Sequence, residues 1–383
     1  MPEKAIANLL SKLTAENVWM LVVDGKFHYS QHGPEGYEAR EPNSISGVLK
    51  GLITAFKDID QELTVEQICA THRACMEGVK SRNPCEPGEF RKNGVMSEIR
   101  GEWVTVERAR SFLASSKGKP KMLLTDKAIK NNAVVPLDSL KSVEKSDGVL
   151  KLAFDMSAEL RSDALLDPDF LMKIQQRNLA RTFYLDPKDI SSIPAEVQKI
   201  VAAFNKDMRN AQSNDEKLLL LARLTQNLLR QEHPFRDGNN RLFVNCILVR
   251  LLMKHFGKIA LFFDPNVFEM STPLELVTVL KEAMLQADIM LDNPNDPVFN
   301  FDSSKVAEKY VALGKEFLKE LNNLVLHDSR TYFNALIKRS ADGLNSTRSF
   351  SPLLWSQVPN FDVELDEELV KPFATTRLTI YSR

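Results

Sequence analysis

The fold is decided by residues 213–257, which read SNDEKLLLLARLTQNLLRQEHPFRDGNNRLFVNCILVRLLMKHFG. The first part, residues 215–232, is rich in Leu and predicts a helix that begins at Ser213 or Asn214, with two acidic residues in its first turn. The last part, residues 241–256, is apolar almost all round and is followed directly by a glycine. This pattern predicts a central buried helix with a defined C-terminal end.

The rest of the chain is dominated by helical periodicity, except for one region. Residues 102–160 break the rhythm, and within them SLKSVEKSDGVLKLAF (139–154) predicts a small β-hairpin with a Ser-Asp-Gly turn. The sequence therefore predicts an all-α (mainly helical) fold with a hairpin insertion. Further helices are predicted for residues 61–80, 193–208, 273–289 and 303–325.

Composition excludes several classes of protein. The 383 residues include 50 Lys+Arg and 51 Asp+Glu, for a net charge of −1, so no nucleic-acid partner is expected. The longest apolar stretch, Phe243–Met253, is too short and interrupted to span a membrane. Four scattered cysteines favour reduced thiols over disulfides or a zinc site. No pair of the 15 glycines fits a dinucleotide-binding or P-loop motif, so any phosphate is bound in another way.

The loop between the two long helices, HPFRDGNNR (233–241), concentrates chemistry. A helix start offers unpaired backbone N–H groups and the positive end of a dipole, which together form an anion site. Gly238 and the two asparagines after it can turn successive N–H groups into one concavity. Arg241 adds a positive charge, Asp237 is a candidate magnesium ligand, and His233 is placed to accept a proton from a hydroxyl.

Each of these residues alone has an ordinary structural interpretation. A His before Pro is often only a helix-end residue, Asp-Gly-Asn-Asn is common turn composition, and an Arg in a first helical turn is usually solvated. Their joint order at a helix start is what favours a functional site.

That order resembles the signature of the Fic/Doc (Fido) family, HPFx(D/E)GN(G/K)R. Seven of its eight specified positions match, and the eighth holds Asn240 in place of Gly or Lys. Asn tolerates a left-handed backbone best among non-glycine residues, so we expect the concavity to survive. The flanking segments THRACMEG (71–78), PGEFR (87–91) and YLDP (184–187) are also similar to family segments, and the resemblance covers about residues 61–290.

The resemblance implies transfer of a phosphate-containing group onto a protein hydroxyl, most often AMP from ATP to a Ser, Thr or Tyr (AMPylation). The implied partners are therefore a nucleotide donor, with ATP favoured, a target protein and Mg²⁺. Phe235 is expected to anchor the loop in the core. The implied roles are His233 as general base, Asp237 as Mg²⁺ ligand, the backbone of Gly238, Asn239 and Asn240 as α-phosphate cradle, and Arg241 on the next phosphate.

Two departures from the family bear on the donor and on regulation. AMP-transferring members usually carry a second Arg three residues after the first, where this chain has Val244. Arg250 cannot take its place, because it lies roughly 13 Å along the helix from Arg241. The inhibitory motif's Glu is replaced by Ser46, so autoinhibition through that ion pair is not expected. Transfer of UMP or of phosphocholine from a CDP- or UDP-linked donor is the alternative reaction. A non-catalytic Fic-fold binding module is the alternative of another class.

The resemblance also suggests an organisation along the chain. We expect a helical region at residues 1–60, a catalytic domain at 61–295 and a C-terminal helical region and tail at 296–383. An insertion at about residues 102–180 stands where the family has a short target-docking flap, and we expect it to form a small lobe beside the site. No secretory signal is evident, so a cytoplasmic location is expected. The acidic stretch Asp362–Glu368 resembles the signals of some secreted effectors, which makes a host-cell cytosol the alternative.

Overall fold

The computed structural model describes residues 2–28, 33–39, 41–81, 83–93, 95–99, 108, 121–124, 140–146, 149–154, 181–185, 190–293 and 306–343. Residue contacts group Met1–Ser329 into one compact unit and Arg330–Arg383 into a second. The acidic stretch near the C-terminus and most of the insertion lie outside the described residues. The expected boundaries near residues 60 and 295 stay a prediction.

The described chain is mainly helical, which confirms the predicted fold class. Short 3₁₀ turns lie at Val18–Leu21 and Ile190–Ser192. The helices are α1 Pro2–Lys12, α2 Gly25–His28, α3 Gly33–Glu38, α4 Ser44–Phe56, α5 Val65–Met76, α6 Ile193–Asn210, α7 Asn214–Gln226 with a π-helical end Asn227–Glu232, α8 made of π-helical Arg241–Leu248 and α-helical Val249–Phe256, α9 Val267–Met270, α10 Pro273–Asp292 and α11 Glu308–Gly343.

Local capping explains where three of these helices begin. The side chains of Thr64, Ser213 and Thr272 each accept a hydrogen bond from the backbone N–H three residues on, and the backbone N–H of each donates in return to the side chain of that residue. The cap at Thr64 makes α5 shorter than the helix predicted over 61–80. In contrast, α11 extends well beyond the helix predicted over 303–325.

The long helices on either side of the loop form as predicted, but both contain π-helical turns. At the end of α7 the N–H of His233 donates to the carbonyl of Leu228, five residues earlier, at 2.9 Å. Sequence periodicity does not report such wide turns, which are frequent at functional sites. The second helix, α8, ends at Gly257, whose φ of 65° is the left-handed conformation expected of a C-terminal glycine.

Helix α8 lies at the centre of the first unit, as its all-round apolar character predicts. Cys246, Val249 and Met253 pack into a core cluster with the N-terminal helices α1 and α4. The opposite faces of α8 pack into a second cluster with α6, α7 and α10. Burial of α8 on all sides fixes the residues after the loop, and the packing of α7 in the second cluster fixes those before it.

The β-structure includes the predicted hairpin and is larger than expected. Strands β3 (Leu140–Ser146) and β4 (Val149–Phe154) form the antiparallel hairpin. They belong to a five-stranded antiparallel sheet in the order β1-β5-β2-β4-β3, in which β1 (Val95–Ile99) pairs with β5 (Arg181–Leu185) and β2 is Lys121–Leu124. Pairing between residues so distant in sequence leaves no local signal, which is why only the hairpin was expected.

Within the described ranges no helix is long and apolar enough to cross a membrane.

Close packing of α4 against α5 and α8 leads to a stability prediction. A Cβ at Gly51 would collide with the Sγ atoms of Cys75 and Cys246, all of them in the core. We expect Gly51→Ala to lower the free energy of unfolding by about 1–3 kcal/mol, the usual cost of overpacking. Denaturant unfolding measures this free energy. The control is Lys50→Ala, at an exposed position next to Gly51 on the same helix, and it should stay within about 0.5 kcal/mol of wild type. Equal stability of the two variants would contradict this packing.

Candidate active site

His233 stands at the end of α7 in a left-handed conformation, with φ 39° and ψ 59°. Its Nδ1 lies 2.8 Å from the carbonyl of Leu229, so Nδ1 carries the proton and Nε2 is the acceptor of the ring. Burial lowers the pKa of His233 below its usual value, and the positive charge of Arg91 adds to the effect, against opposition from the Leu229 carbonyl. A neutral imidazole with an acceptor at Nε2 is the form that a general base requires.

The backbone of this loop is held by Arg91. Its Nε donates to the carbonyl of His233 at 2.7 Å and its Nη2 to that of Glu232 at 3.1 Å, while its backbone N–H donates to the carbonyl of Pro234 at 2.9 Å. The side chain is buried. Sequence reasoning noted Arg91 only as the end of a family-like segment. Its role as a clamp depends on a contact between residues 142 positions apart.

Phe235 anchors the loop in the core, as expected, and it is fully buried. The imidazole of His72 stacks on it at a centroid distance of 3.8 Å and an interplanar angle of 14°. The rings of Phe90 and Phe243 lie at 5.2 and 6.3 Å. The aromatic side chain of the motif is therefore enclosed by three elements, α5, the segment before β1 and α8.

His72 also joins the loop to the turn at Gly88. The N–H of Gly88 donates to Nδ1 at 2.9 Å, so the ring proton is on Nε2, which faces the carbonyl of Asp237 at 3.0 Å. Burial lowers the pKa of His72 to about 4, so the ring is neutral near pH 7. The stretch THRACMEG was singled out in the sequence, but His72 itself was not identified as a site residue.

The three residues after Asp237 play different parts. Gly238 has φ 75°, and a Cβ there would collide with the Sδ of Met76, so only glycine fits. Asn239 closes the loop, since its side-chain amide bonds to both the N–H and the carbonyl of Phe235. Asn240 has φ −62° and ψ −46°, an ordinary right-handed conformation. The expectation that Asn240 uses its tolerance of left-handed backbone is therefore wrong, because Gly238 alone makes the turn.

Asp237 is partly buried, and both of its carboxylate oxygens are engaged. Oδ1 accepts from the N–H of Gly238 at 2.6 Å, and Oδ2 accepts from the hydroxyl of Ser81. The N–H of Gly238, expected in the phosphate cradle, is thus directed at Asp237. A carboxylate keeps further lone pairs for a metal, and Mg²⁺ often binds one protein carboxylate together with substrate phosphates. Among the described residues no group of three or more His, Cys, Asp or Glu side chains is arranged to hold a metal ion.

Arg241 is buried rather than solvated, and it has an acidic partner. Its Nη1 pairs with Oε2 of Glu41, and its Nη2 lies 3.4 Å from the Sδ of Met76 and 3.7 Å from Oδ1 of Asp237. Burial, the largest single effect, would lower the pKa of Arg241, but the carboxylate of Glu41 together with Tyr37, Asp237 and Cys75 makes the net shift upward. Comparison with the family's inhibitory motif pointed to Ser46 and gave no acidic residue. The structure places one in the same stretch, five residues earlier.

Neither Val244 nor Arg250 provides a second positive charge for the donor phosphates. Val244 is fully buried in the second core cluster. Arg250 donates to the carbonyls of Asp58 and Gln61 at 3.0 and 2.7 Å, in the segment after α4.

A polar cluster that sequence reasoning missed adjoins the start of α8. The side-chain amide of Asn240 donates to Asn266 at 3.2 Å, and that of Asn266 donates to Asp264 at 2.7 Å. Lys26 lies between Asp264 and Asp24, at 3.1 and 3.2 Å. Burial raises the pKa of Asp24 to about 6 despite its lysine neighbour. Two loops more than 200 residues apart form this cluster, so no local pattern could have shown it.

Comparison with known proteins gives one relevant similarity. No family model matches the chain. Over 302 residues the chain is 28% identical to the phosphocholine transferase AnkX of Legionella pneumophila subsp. pneumophila, strain Philadelphia 1. The match covers 74% of this chain and 29% of AnkX, so the chain spans well under a third of that relative.

The contacts of His72 generate a prediction on stability and its pH dependence. His72→Phe keeps the stack on Phe235 but leaves the N–H of Gly88 and the carbonyl of Asp237 unpaired, each at a cost of about 1–3 kcal/mol. In wild type the folded pKa of about 4 lies below the unfolded value of 6.5, so stability falls as the pH drops from 6.5 towards 4. The free energy of unfolding, measured with denaturant at several pH values in that range, should therefore change less steeply with pH in the variant than in wild type. Identical slopes would contradict a buried neutral His72.

Proposed function

We propose that this chain belongs to the Fic family and transfers a phosphate-containing group from a nucleotide-linked donor onto a hydroxyl of a target protein. The observation that carries the proposal is the neutral His233, with Nδ1 hydrogen-bonded to Leu229 and Nε2 as acceptor, at the start of the loop that leads into α8. The match to the Fic signature and the similarity to a phosphocholine transferase support the same chemistry.

The reaction needs positioning and charge stabilisation more than covalent help from the protein. Nε2 of His233 takes the proton of the attacking hydroxyl as its oxygen bonds to the phosphorus of the transferred group. The bond from that phosphorus to the bridging oxygen of the donor breaks, and the leaving group takes the electron pair: CMP if phosphocholine is transferred from CDP-choline, pyrophosphate if AMP or UMP is transferred from a triphosphate. The first-turn N–H groups of Asn239 and Asn240, with the guanidinium of Arg241, stabilise the negative charge on the phosphate oxygens.

Magnesium at Asp237 belongs to the same proposal. The carboxylate of Asp237 would hold the ion together with phosphate oxygens of the donor, where it would neutralise charge on the leaving group. The hydroxyl of Ser81 and the N–H of Gly238 orient this carboxylate.

For the donor we favour a CDP-linked choline, which makes the transferred group phosphocholine. At the position where AMP-transferring members carry an Arg that binds the γ-phosphate, this chain has the buried and uncharged Val244. In addition, the cluster of Asp24, Lys26 and Asp264 near the start of α8 carries a net negative charge. The similarity to a phosphocholine transferase supports the same donor. Transfer of AMP from ATP, the reaction implied most often by the family motif, stays the second candidate, with UMP transfer beside it.

The proposed setting is a reducing compartment, with the cytosol of a host cell included. Cys69, Cys75, Cys85 and Cys246 are free thiols. The Sγ atoms of Cys75 and Cys246 lie 3.4 Å apart as a buried pair of thiols joined by a hydrogen bond rather than a disulfide, which suits such a compartment.

The general-base role predicts the effect of His233→Ala. We expect transfer to fall by about 10²-fold or more, because the proton acceptor is lost while the fold is kept. The assay incubates the enzyme with labelled CDP-choline, ATP or UTP, magnesium and a cell lysate, and identifies modified peptides by mass spectrometry. His255→Ala, at the far end of α8, is the matched control. Retention of more than about a tenth of wild-type turnover would refute the role.

The lowered pKa of His233 predicts the pH profile. The base works only when neutral, so kcat/KM should fall on the acid side as the imidazole is protonated. Because burial depresses that pKa, the midpoint of the acid limb should lie below 6.5. A midpoint above 7 in a kcat/KM profile would point to a different group.

The metal role predicts the behaviour of Asp237→Asn. The amide lacks the charge that attracts a divalent cation, so the magnesium concentration giving half-maximal rate should rise about tenfold or more. Magnesium titration of the initial rate measures it, and Asp215→Asn on the exposed start of α7 is the control. Wild-type activity that persists in EDTA would remove magnesium from the proposal.

A further inference from the structure

Glu41 is an unexpected neighbour of the phosphate cradle. It belongs to the segment between α3 and α4, 200 residues before the arginine that it pairs with. The side chain of Arg241 is 8% exposed and that of Glu41 is 25% exposed, so the pair is shielded from bulk water. In such surroundings a carboxylate offsets a guanidinium charge far more effectively than at an open surface.

The segment that carries Glu41 is anchored at both ends. Glu38 accepts hydrogen bonds from the N–H of Ile45 and from the hydroxyl of the buried Tyr310, each at 3.1 Å. Asn43, in the left-handed conformation with φ 70°, donates to the carbonyl of Gly78 at 3.0 Å. The carboxylate of Glu41 is therefore held on Arg241 by packing against α11 and the end of α5.

The Nη1 and Nη2 atoms of the Arg241 guanidinium have neighbours in Glu41 and Met76, whereas Nε differs. Within the part of the chain that the structure describes, Nε of Arg241 is buried without a hydrogen-bond partner. A buried N–H of this kind is costly unless something accepts its proton. The guanidinium is therefore held mainly through Glu41, whose carboxylate offsets most of its charge.

The charges around the start of α8 fit a donor of low net charge. The carboxylates of Glu41 and Asp237 lie against Arg241, and those of Asp24 and Asp264 lie on either side of Lys26, so each of these two cations has two acidic neighbours. A nucleoside triphosphate brings several negative charges, which an Arg241 already paired with Glu41 offsets poorly. A choline-linked diphosphate brings its own quaternary ammonium, which cancels part of its phosphate charge.

We propose that Glu41 is a specificity-determining residue, whose carboxylate neutralises Arg241 so that the cradle accepts a donor of low negative charge and discriminates against nucleoside triphosphates. This inference rests on the proposed function for the identity of the site. It assigns to the N-terminal segment a part in the choice of donor.

The test is the affinity of Glu41→Gln for cytidine nucleotides. The neutral amide has the size of the carboxylate and frees the charge of Arg241. Calorimetric titration with CTP, CDP, CMP and CDP-choline, in magnesium and without target protein, gives the dissociation constants. We expect the affinity for CTP to rise at least tenfold relative to CDP-choline. Glu66→Gln, a loss of the same charge about 15 Å from Met76 along α5, should leave the ratio unchanged.

Two further measurements test whether the charge of Glu41 causes the change in affinity. Glu41→Asp keeps the charge and should keep the wild-type ratio. In wild type itself, CTP should bind less than tenfold tighter than CDP, a result that is readable even if Glu41→Gln fails to fold. Weakening of all four ligands by one factor in Glu41→Gln, or no change in any, would overturn the proposal, as would a wild-type preference for CTP above tenfold.

The binding measurements test the role of Glu41 independently of the transfer reaction. If CDP-choline fails to bind while CTP and CMP bind, the proposed donor is wrong, and the comparison of CTP with CMP still tests the charge argument. If CDP-choline binds but His233→Ala retains transfer, the proposed mechanism fails on its own.

Discussion

The contact between His72 and the loop is the constraint on which the site depends. One neutral imidazole stacks on Phe235, receives the N–H of Gly88 and donates to the carbonyl of Asp237. These contacts fix the side chain that anchors the loop and the backbone of the candidate metal ligand. A protonated ring could not accept from Gly88, so the burial that keeps His72 neutral also keeps the loop in shape.

A second constraint is electrostatic and concerns Arg241. A guanidinium buried beside the central helix needs a counter-charge, because an isolated buried cation is strongly unfavourable. The structure supplies it from Glu41, while Asp237 lies slightly further away. This pairing makes the anion site less positive than its sequence suggests. Together with the buried Val244, it is the physical basis for favouring phosphocholine over AMP as the transferred group.

Sequence reasoning performed well where the signal is local. The caps at Ser213 and Gly257, the buried character of α8 and the hairpin at residues 139–154 follow from spacing and side-chain type, and the structure confirms each of them. The conformation assigned to Asn240 was wrong because one glycine, Gly238, makes the whole turn. The π-helical turns and the sheet around the hairpin gave no pattern, since they depend on hydrogen bonds that periodicity does not report.

Patterns along the chain were enough to predict the long helices around the loop and the chemical groups that the loop carries. Helical periodicity, capping residues and an HPFRDGNNR segment at a helix start depend only on neighbours along the chain. The tertiary structure alone decided the protonation of His233, the clamp by Arg91 and the partner of Arg241. Each arises from burial or from contact between residues more than 100 positions apart, and the desolvation and pairing that set a charge exist only once those residues have been packed together.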